Sequence, residues 1–426
     1  MKLRDYNTIR EQVYSDRLPN GMPVFIVPKR GYNKSYAFFA ADYGGADRRF
    51  KFGGEWIDTP SGVAHYLEHK MFDTQSGNAL TSMSANGASV NAFTSSDITA
   101  YHFESMEKFE ENLETLLEFV SVPWFTPESV QKERGIIGQE IRMTEDSPDY
   151  AVYYGLMKSL YAHNPIRDSV AGTVESIAEI TADTLYSCHS VFYNASNMAL
   201  CVAGDLDPER VVSLAAKMLP GAPGERPKRD WGPAEAKGPV SARADASMEV
   251  SRPIFMIGAK ADAALSGNDF LKREIVGSLA LRLLAGRSSP FYMRLYEKGL
   301  IDSDFSAAFE SSAGVAHCVA GGSSGDPDAV LEELMKEAAS LADGPGGDMF
   351  ARAKNAATGS ILRSLNSFDS VCYNHVSGYF RGYDSFEAAD TMASVTVGDI
   401  ADFARANLSP ENMAMSVVVP VREAAS

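Results

Sequence analysis

At 426 residues the chain exceeds what one ordinary hydrophobic core accommodates, and the length predicts two domains or two large halves. An apolar fraction of 45% and a charged fraction of 22% are those of a soluble globular protein, and no apolar run reaches the length of a membrane span. The formal net charge of −17 sets the chain against nucleic acid and anionic membrane surfaces, which carry the same sign, and leaves solubility or attraction of basic peptides as its uses.

The opening segment, MKLRDYNTIREQVYSDRL, is polar throughout and lacks the apolar stretch of a secretory signal, so the expected location is cytoplasmic. PVFIVPK (23–29) and SYAFFAADYGG (35–45) read as strands, the second alternating less strictly than a half-exposed strand would. The pattern turns helical over 54–72, and further helices are predicted near 107–120, 127–145 and 149–161. Residues 221–247 are rich in Gly, Pro, Ala and charge and read as a linker. They divide the chain into a first domain, 1–220, and a second, 248–426.

Beyond the linker the order recurs, with a strand in 248–262 and a helix over 268–286. GGSSG at 321–325 lacks the GK[ST] of a phosphate loop and is expected to be a turn. The two halves read as one fold used twice, because 180–205 matches 395–420 without a gap: Thr181 falls on Thr396, Asn197 on Asn412 and Met198 on Met413. Strands cluster instead of alternating regularly with helices. The predicted class is therefore α+β, two homologous domains, each a mainly antiparallel sheet with helices packed on one face. Cys188, Cys201, Cys318 and Cys372 are scattered without a CxxC pair and are expected to be reduced structural thiols.

The chemistry concentrates in HYLEHKMF (65–72). On a helix His65 and His69, four residues apart, share one face and can bind one metal ion, while Glu68 reaches a water bound to it. Burying three such groups on a mainly apolar segment costs roughly 1–3 kcal/mol each unless something satisfies them, and a zinc ion would do so. Catalytic zinc takes three protein ligands, so a third is needed. Glu133 and Glu140, two turns apart on the predicted 127–145 helix, are the candidates, one to ligate and the other to support. Aligning residues 71–72 with 283–284 places Gly277, Ala280 and Leu281 opposite His65, Glu68 and His69, so the second half carries no metal chemistry. His102, His163, His189, His317 and His375 have no spaced partner and are expected in loops or core.

HxxEH, the downstream ERGIIGQEI, and NGASVNAFTSSDITAY between them resemble the M16 (pitrilysin, or insulinase) metallopeptidase family. HNPIRDSVAGT (163–173) and NASNMALCVAGD (194–205) extend the resemblance over nearly the whole chain, and the wording of HYLEHKMF is closest to the short, single-chain bacterial type. The resemblance implies one Zn2+ per chain held by His65, His69 and Glu140, Glu68 as general base, and Glu133 as the carboxylate that orients a ligand. GASVNAFT (87–94) alternates small and larger groups as an edge strand open to a peptide would. The resemblance implies substrate contact there through Asn91, Ala92 and Phe93, largely by backbone hydrogen bonds.

One departure stands out. Where the family's second domain carries an Arg and a Tyr, SSPFYMRLYEKGLID (288–302) has Pro290 and Asp302, which cannot donate the expected hydrogen bonds at neutral pH. Either Arg294, Tyr292 or Tyr296 substitutes, or the pair comes from a second polypeptide. The expectation is a heterodimer with a zinc-less homologue, a homodimer being the alternative. The expected function is a zinc endopeptidase cutting short or unfolded peptides in a closed chamber. The competing function is a non-catalytic peptide-binding or assembly subunit that is inert alone.

Overall fold

The computed structural model describes residues 1–263 and 266–421, so the last residues of the second predicted domain lie outside the described region. The described residues form two compact units, considered separately below.

The first unit is built on a seven-stranded sheet in the order Lys2–Tyr6, Glu11–Arg17, Pro23–Pro28, Met198–Gly204, Ser35–Ala41, Thr99–Ser105 and Ser89–Thr94. All neighbours run antiparallel except Pro23–Pro28 and Met198–Gly204. The weak alternation of SYAFFAA has a physical reason: both its faces are covered. Ala37, Phe39 and Ala41 enter a core with the helices Val63–Met71, Phe109–Ser121 and Ala182–Phe192, whereas Tyr36, Phe38 and Ala40 meet Phe368, Val371, Cys372 and Val376. That second cover is the helix Phe368–Arg381, which comes from the distant end of the chain.

The second unit has a five-stranded sheet in the order Arg243–Met248, Met413–Pro420, Ile254–Ala261, Val315–Ser323 and Ser306–Ser312, again with one parallel pair, the first two. The order and the position of the parallel pair repeat the last five strands of the first sheet. Here the borrowed helix is Pro148–Leu160, whose Leu156 and Leu160 pack with Val319 and Ala414. Each half thus lends one helix to the other half's sheet. Division of the chain at 221–247 assigns 142–168 to the first half and 362–387 to the second, while the compact units take them the other way. Local patterning cannot see this exchange, because an amphipathic helix does not record which sheet it covers.

Three expectations need correction in detail. The segment 54–72 is not helical throughout, since Glu55–Asp58 pairs with Arg49–Phe52 as a hairpin and the helix begins at Val63. GGSSG is not a turn: Gly321, Gly322 and Ser323 complete the strand Val315–Ser323. A Cβ on Gly321 would stand 2.4 Å from the Phe255 carbonyl oxygen, so glycine serves close strand approach there. The linker is pinned. Arg243–Met248 is a strand, Lys228–Arg229 pairs with Phe50 and Lys51, and the Arg229 guanidinium lies 3.0 Å from Asp47. The four cysteines are buried free thiols. Among the described residues no helix is long and apolar enough to cross a membrane.

In the second unit the Glu235 carboxylate accepts the N–H groups of Ala162, His163 and Asn164 at 2.9, 2.7 and 2.8 Å, with Lys260 3.4 Å away. Desolvation works to raise its pKa, but the three N–H donors and the Lys260 charge outweigh this and hold it at about 2. A carboxylate whose folded pKa is depressed contributes stability above its unfolded value, near 4.5, that is lost as pH falls toward 2. Glu235→Gln should therefore cost about 1–3 kcal/mol at neutral pH and flatten the acid-unfolding profile between those values, measured by circular dichroism in urea. An unchanged profile would remove Glu235 as an acid-sensitive clamp.

Candidate metal centre

The motif helix Val63–Met71 starts at Gly62, whose φ of 94° is left-handed and suits glycine. Val63, Ala64, Tyr66, Leu67 and Met71 enter the core, so His65 and His69 fall on the remaining face, their ring centroids 4.6 Å apart. The helix Pro127–Glu145 lies against this face, anchored by Val130, Ile137 and Ile141 and by the Tyr66 hydroxyl, which donates to the Val130 carbonyl. It brings Glu140 to 3.5 Å from His65 Nε2 and 3.6 Å from His69 Nε2, and Glu133 Oε1 to 3.1 Å from His69 Nδ1.

Ligand atoms from His65, His69 and Glu140 all lie within 4.8 Å of one another, the one such convergence of three His, Cys, Asp or Glu groups among the described residues. The donor set fits a tetrahedral cation. Because the Glu133 carboxylate accepts the His69 Nδ1–H, Nε2 of a neutral imidazole presents a lone pair toward another acceptor, the Glu140 carboxylate. Two acceptors facing each other are stabilised by a cation between them. Ligand atoms each about 2.0–2.2 Å from a tetrahedral zinc lie roughly 3.3–3.6 Å apart, which matches the two imidazole–carboxylate separations. Glu133 holds the imidazole orientation that this requires.

Without a cation, the surrounding carboxylates favour a proton on His69 in its place. Desolvation pulls the His69 pKa down, but the Glu133 hydrogen bond and the charges of Glu68 and Glu140 more than reverse it. The nearby His65 imidazole holds Glu140 below the ordinary carboxylate range against its desolvation. Glu68, only 8% exposed, is raised by burial, partly offset by the hydrogen bond that the Thr94 hydroxyl donates to its Oε2 at 2.8 Å.

Asn91, Ala92 and Phe93 lie on Ser89–Thr94, at the edge of the sheet with one strand neighbour. The pleat separates them: Ala92, like Val90, packs toward the core that holds the motif helix. Phe93 lies on the other face against Phe38, His102 and Tyr373. The Phe93 side chain is therefore directed away from Glu68. The Ala92 N–H is held by Asn91 Oδ1 at 2.9 Å. Motif spacing alone missed Thr94, although its parity with Ala92 on a strand places it on the Glu68 side. It also missed buried Lys70, which pairs with Asp73.

The remaining histidines are placed as expected of structural groups. His102 sits among Tyr36, Phe38 and Phe93; His189 donates Nε2–H to the Val120 carbonyl at 3.0 Å; His317 and His375 are buried. His163 contributes its N–H to Glu235. In the second unit Pro290 opens a helix capped by Ser289, and Asp302 pairs with Arg252 at 2.5 Å. Arg294 is held by Glu333 and Glu337 at 3.3 and 3.2 Å, while Tyr292 is buried and stacked on exposed Tyr296.

With that geometry, comparison with known proteins decides the family. The family model for the insulinase peptidase family M16 matches residues 54–174, and that for the M16 inactive domain matches 179–357. The chain belongs to the M16 peptidase family. It is 35% identical over 425 residues to YmfH of Bacillus subtilis, named an uncharacterized zinc protease, covering 98% of each chain. A crystal structure of an M16-like peptidase from Alicyclobacillus acidocaldarius superposes with a TM-score of 0.93 at 32% identity, over 96% of this chain and 99% of that one. A Helicobacter pylori protease at 20% identity shares the fold, with a TM-score of 0.79 over 96% of this chain and all of that one.

Removing the carboxylate bonded to His69 would loosen a metal held by this donor set without abolishing its binding. Glu133→Ala is expected to lower zinc affinity by about 10–100-fold in a chelator competition, and Glu140→Ala by more. Equal affinity in Glu133→Ala and the unaltered protein would show that Glu133 plays no part in ligand orientation.

Proposed function

We propose that the chain is a zinc-dependent endopeptidase acting on short or unfolded peptides, with His65, His69 and Glu140 holding one Zn2+ and Glu68 as general base. One observation carries the reading: three ligand atoms converge within 4.8 Å of one another while a buried carboxylate sits one residue from a ligand on the same helix. Zinc held there would supply Lewis-acid polarisation of a peptide carbonyl and acidify a water molecule.

The chain's own groups move the proton. Glu68 Oε2 is engaged by Thr94, which leaves Oε1 to take the proton of the attacking water. As the water oxygen bonds to the carbonyl carbon and the C–N bond breaks, that proton passes to the leaving amine. Burial raises the Glu68 pKa, which brings it nearer the working range of a base that must also act as an acid. The edge strand Ser89–Thr94 supports docking of an extended peptide beside the centre, and an acidic chain favours basic peptides.

The departure at Pro290 and Asp302 supports a site completed by another chain. Arg294 is already taken by two glutamates, so the oxyanion-stabilising pair is proposed to come from a zinc-less homologue in a heterodimer, or from a second copy. The same departure favours a second reading, a peptide-binding subunit inert by itself. Peptide hydrolysis assayed with and without a coexpressed homologue separates the two. Glu68→Gln should keep its zinc and lose on the order of 10²–10⁴-fold in kcat. Undiminished hydrolysis by the zinc-loaded variant would contradict the role of Glu68.

A further inference from the structure

We infer that Thr94 is a positioning residue for Glu68, coupling the peptide-docking strand to the general base; this deepens the peptidase reading above and rests on it. The Thr94 hydroxyl donates to Glu68 Oε2 at 2.8 Å, and Thr94 ends the edge strand two residues after Ala92. Its neighbour across the ladder is Thr99, whose hydroxyl bonds the Tyr43 carbonyl at 2.8 Å and fixes this end of the pair to the core. A hydroxyl has one proton to donate, and here it is spent on the carboxylate. Glu68 is thereby kept in one rotamer, with Oε1 as the proton acceptor.

The duplicated fold supplies an independent comparison. The ladders of the first unit connect Leu200 to Phe39, Phe39 to Tyr101 and Tyr101 to Ala92. The same walk in the second unit runs from Met415 to Ile257, Ala320 and Ala307. Leu200 and Met415 occupy equivalent places in the repeated segments. Ala92 therefore corresponds to Ala307, and Thr94 to Phe309. The general base itself corresponds to Ala280. Phe309 packs its ring over Gly277, the counterpart of His65, where a Cβ would come within 2.5 Å of the ring. In the copy with no carboxylate to orient, the hydroxyl position is occupied by an apolar plug. The hydroxyl at 94 and the carboxylate at 68 are present together or absent together.

The test compares Thr94→Val, which keeps the shape but removes the donor, with Thr94→Ser, which keeps the donor. Thr94→Val should lose roughly tenfold or more in kcat with KM little changed, and Thr94→Ser should recover most of that loss. Zinc content by elemental analysis and the affinity of the metal-stripped protein for a fluorescent peptide should match the unaltered chain in both variants. Thr94→Val with unaltered kcat would overturn the positioning role. So would a Thr94→Ser defect equal to that of Thr94→Val, or loss of zinc or peptide affinity in step with activity, which would mark a structural part. If the zinc-loaded unaltered protein cleaves no peptide, with or without a zinc-less homologue, the peptidase reading falls and this inference with it.

Discussion

The centre depends on one constraint: two packed helices hold the Nε2 atoms of His65 and His69 3.5 and 3.6 Å from the Glu140 carboxylate, groups that all present lone pairs once the imidazoles are neutral. Left to themselves such acceptors repel, and a cation turns the same spacing into an attraction. The remaining features maintain that confrontation. Val130, Ile137 and Ile141 seat the carboxylate helix, Gly62 sets the start of the motif helix, and Glu133 fixes the ring of His69. Burial also raises the pKa of Glu68, which stands on the same helix as the two imidazoles.

The chain contains the same frame twice, and the difference between the copies isolates what the chemistry needs. Strand order and the single parallel pair are repeated, yet among the described residues only the first copy brings His and Glu ligand atoms together, so the fold as such does not specify the centre. In the first copy the space between helix and edge strand holds polar groups that a metal and substrate can satisfy. In the second, glycine and phenylalanine fill it with apolar contact, which is the stable solution when no ion is to be bound. The exchange of Pro148–Leu160 and Phe368–Arg381 means that neither sheet is finished by its own half of the sequence. Folding of one unit therefore draws on residues of both halves.

Much of this was legible in the sequence because it is written in short periods. His65, Glu68 and His69 declare a helix face, Glu133 and Glu140 a second one two turns long, and the match of 180–205 with 395–420 declares the duplication. The predicted 127–145 helix coincides with Pro127–Glu145 because its apolar positions keep one buried face, Val130, Ile137 and Ile141, despite Gly135 and Gly138 within it. What escaped depends on distant partners. Glu55–Asp58 looked helical because its pairing with Arg49–Phe52 is not a period within it. GGSSG looked like a turn because glycine marks both turns and close strand contact. The helix exchange and the bond from Thr94 to Glu68 exist only once the sheet has assembled; strand parity gives the face of Thr94 but not its partner.

The most direct measurement is titration of zinc into the chelator-stripped chain, following bound metal and hydrolysis of a short basic peptide together, with any zinc-less homologue supplied in excess. The account predicts saturation at one zinc per chain, with hydrolysis rising in proportion to occupancy. Failure to bind zinc, or hydrolysis independent of occupancy, would contradict it.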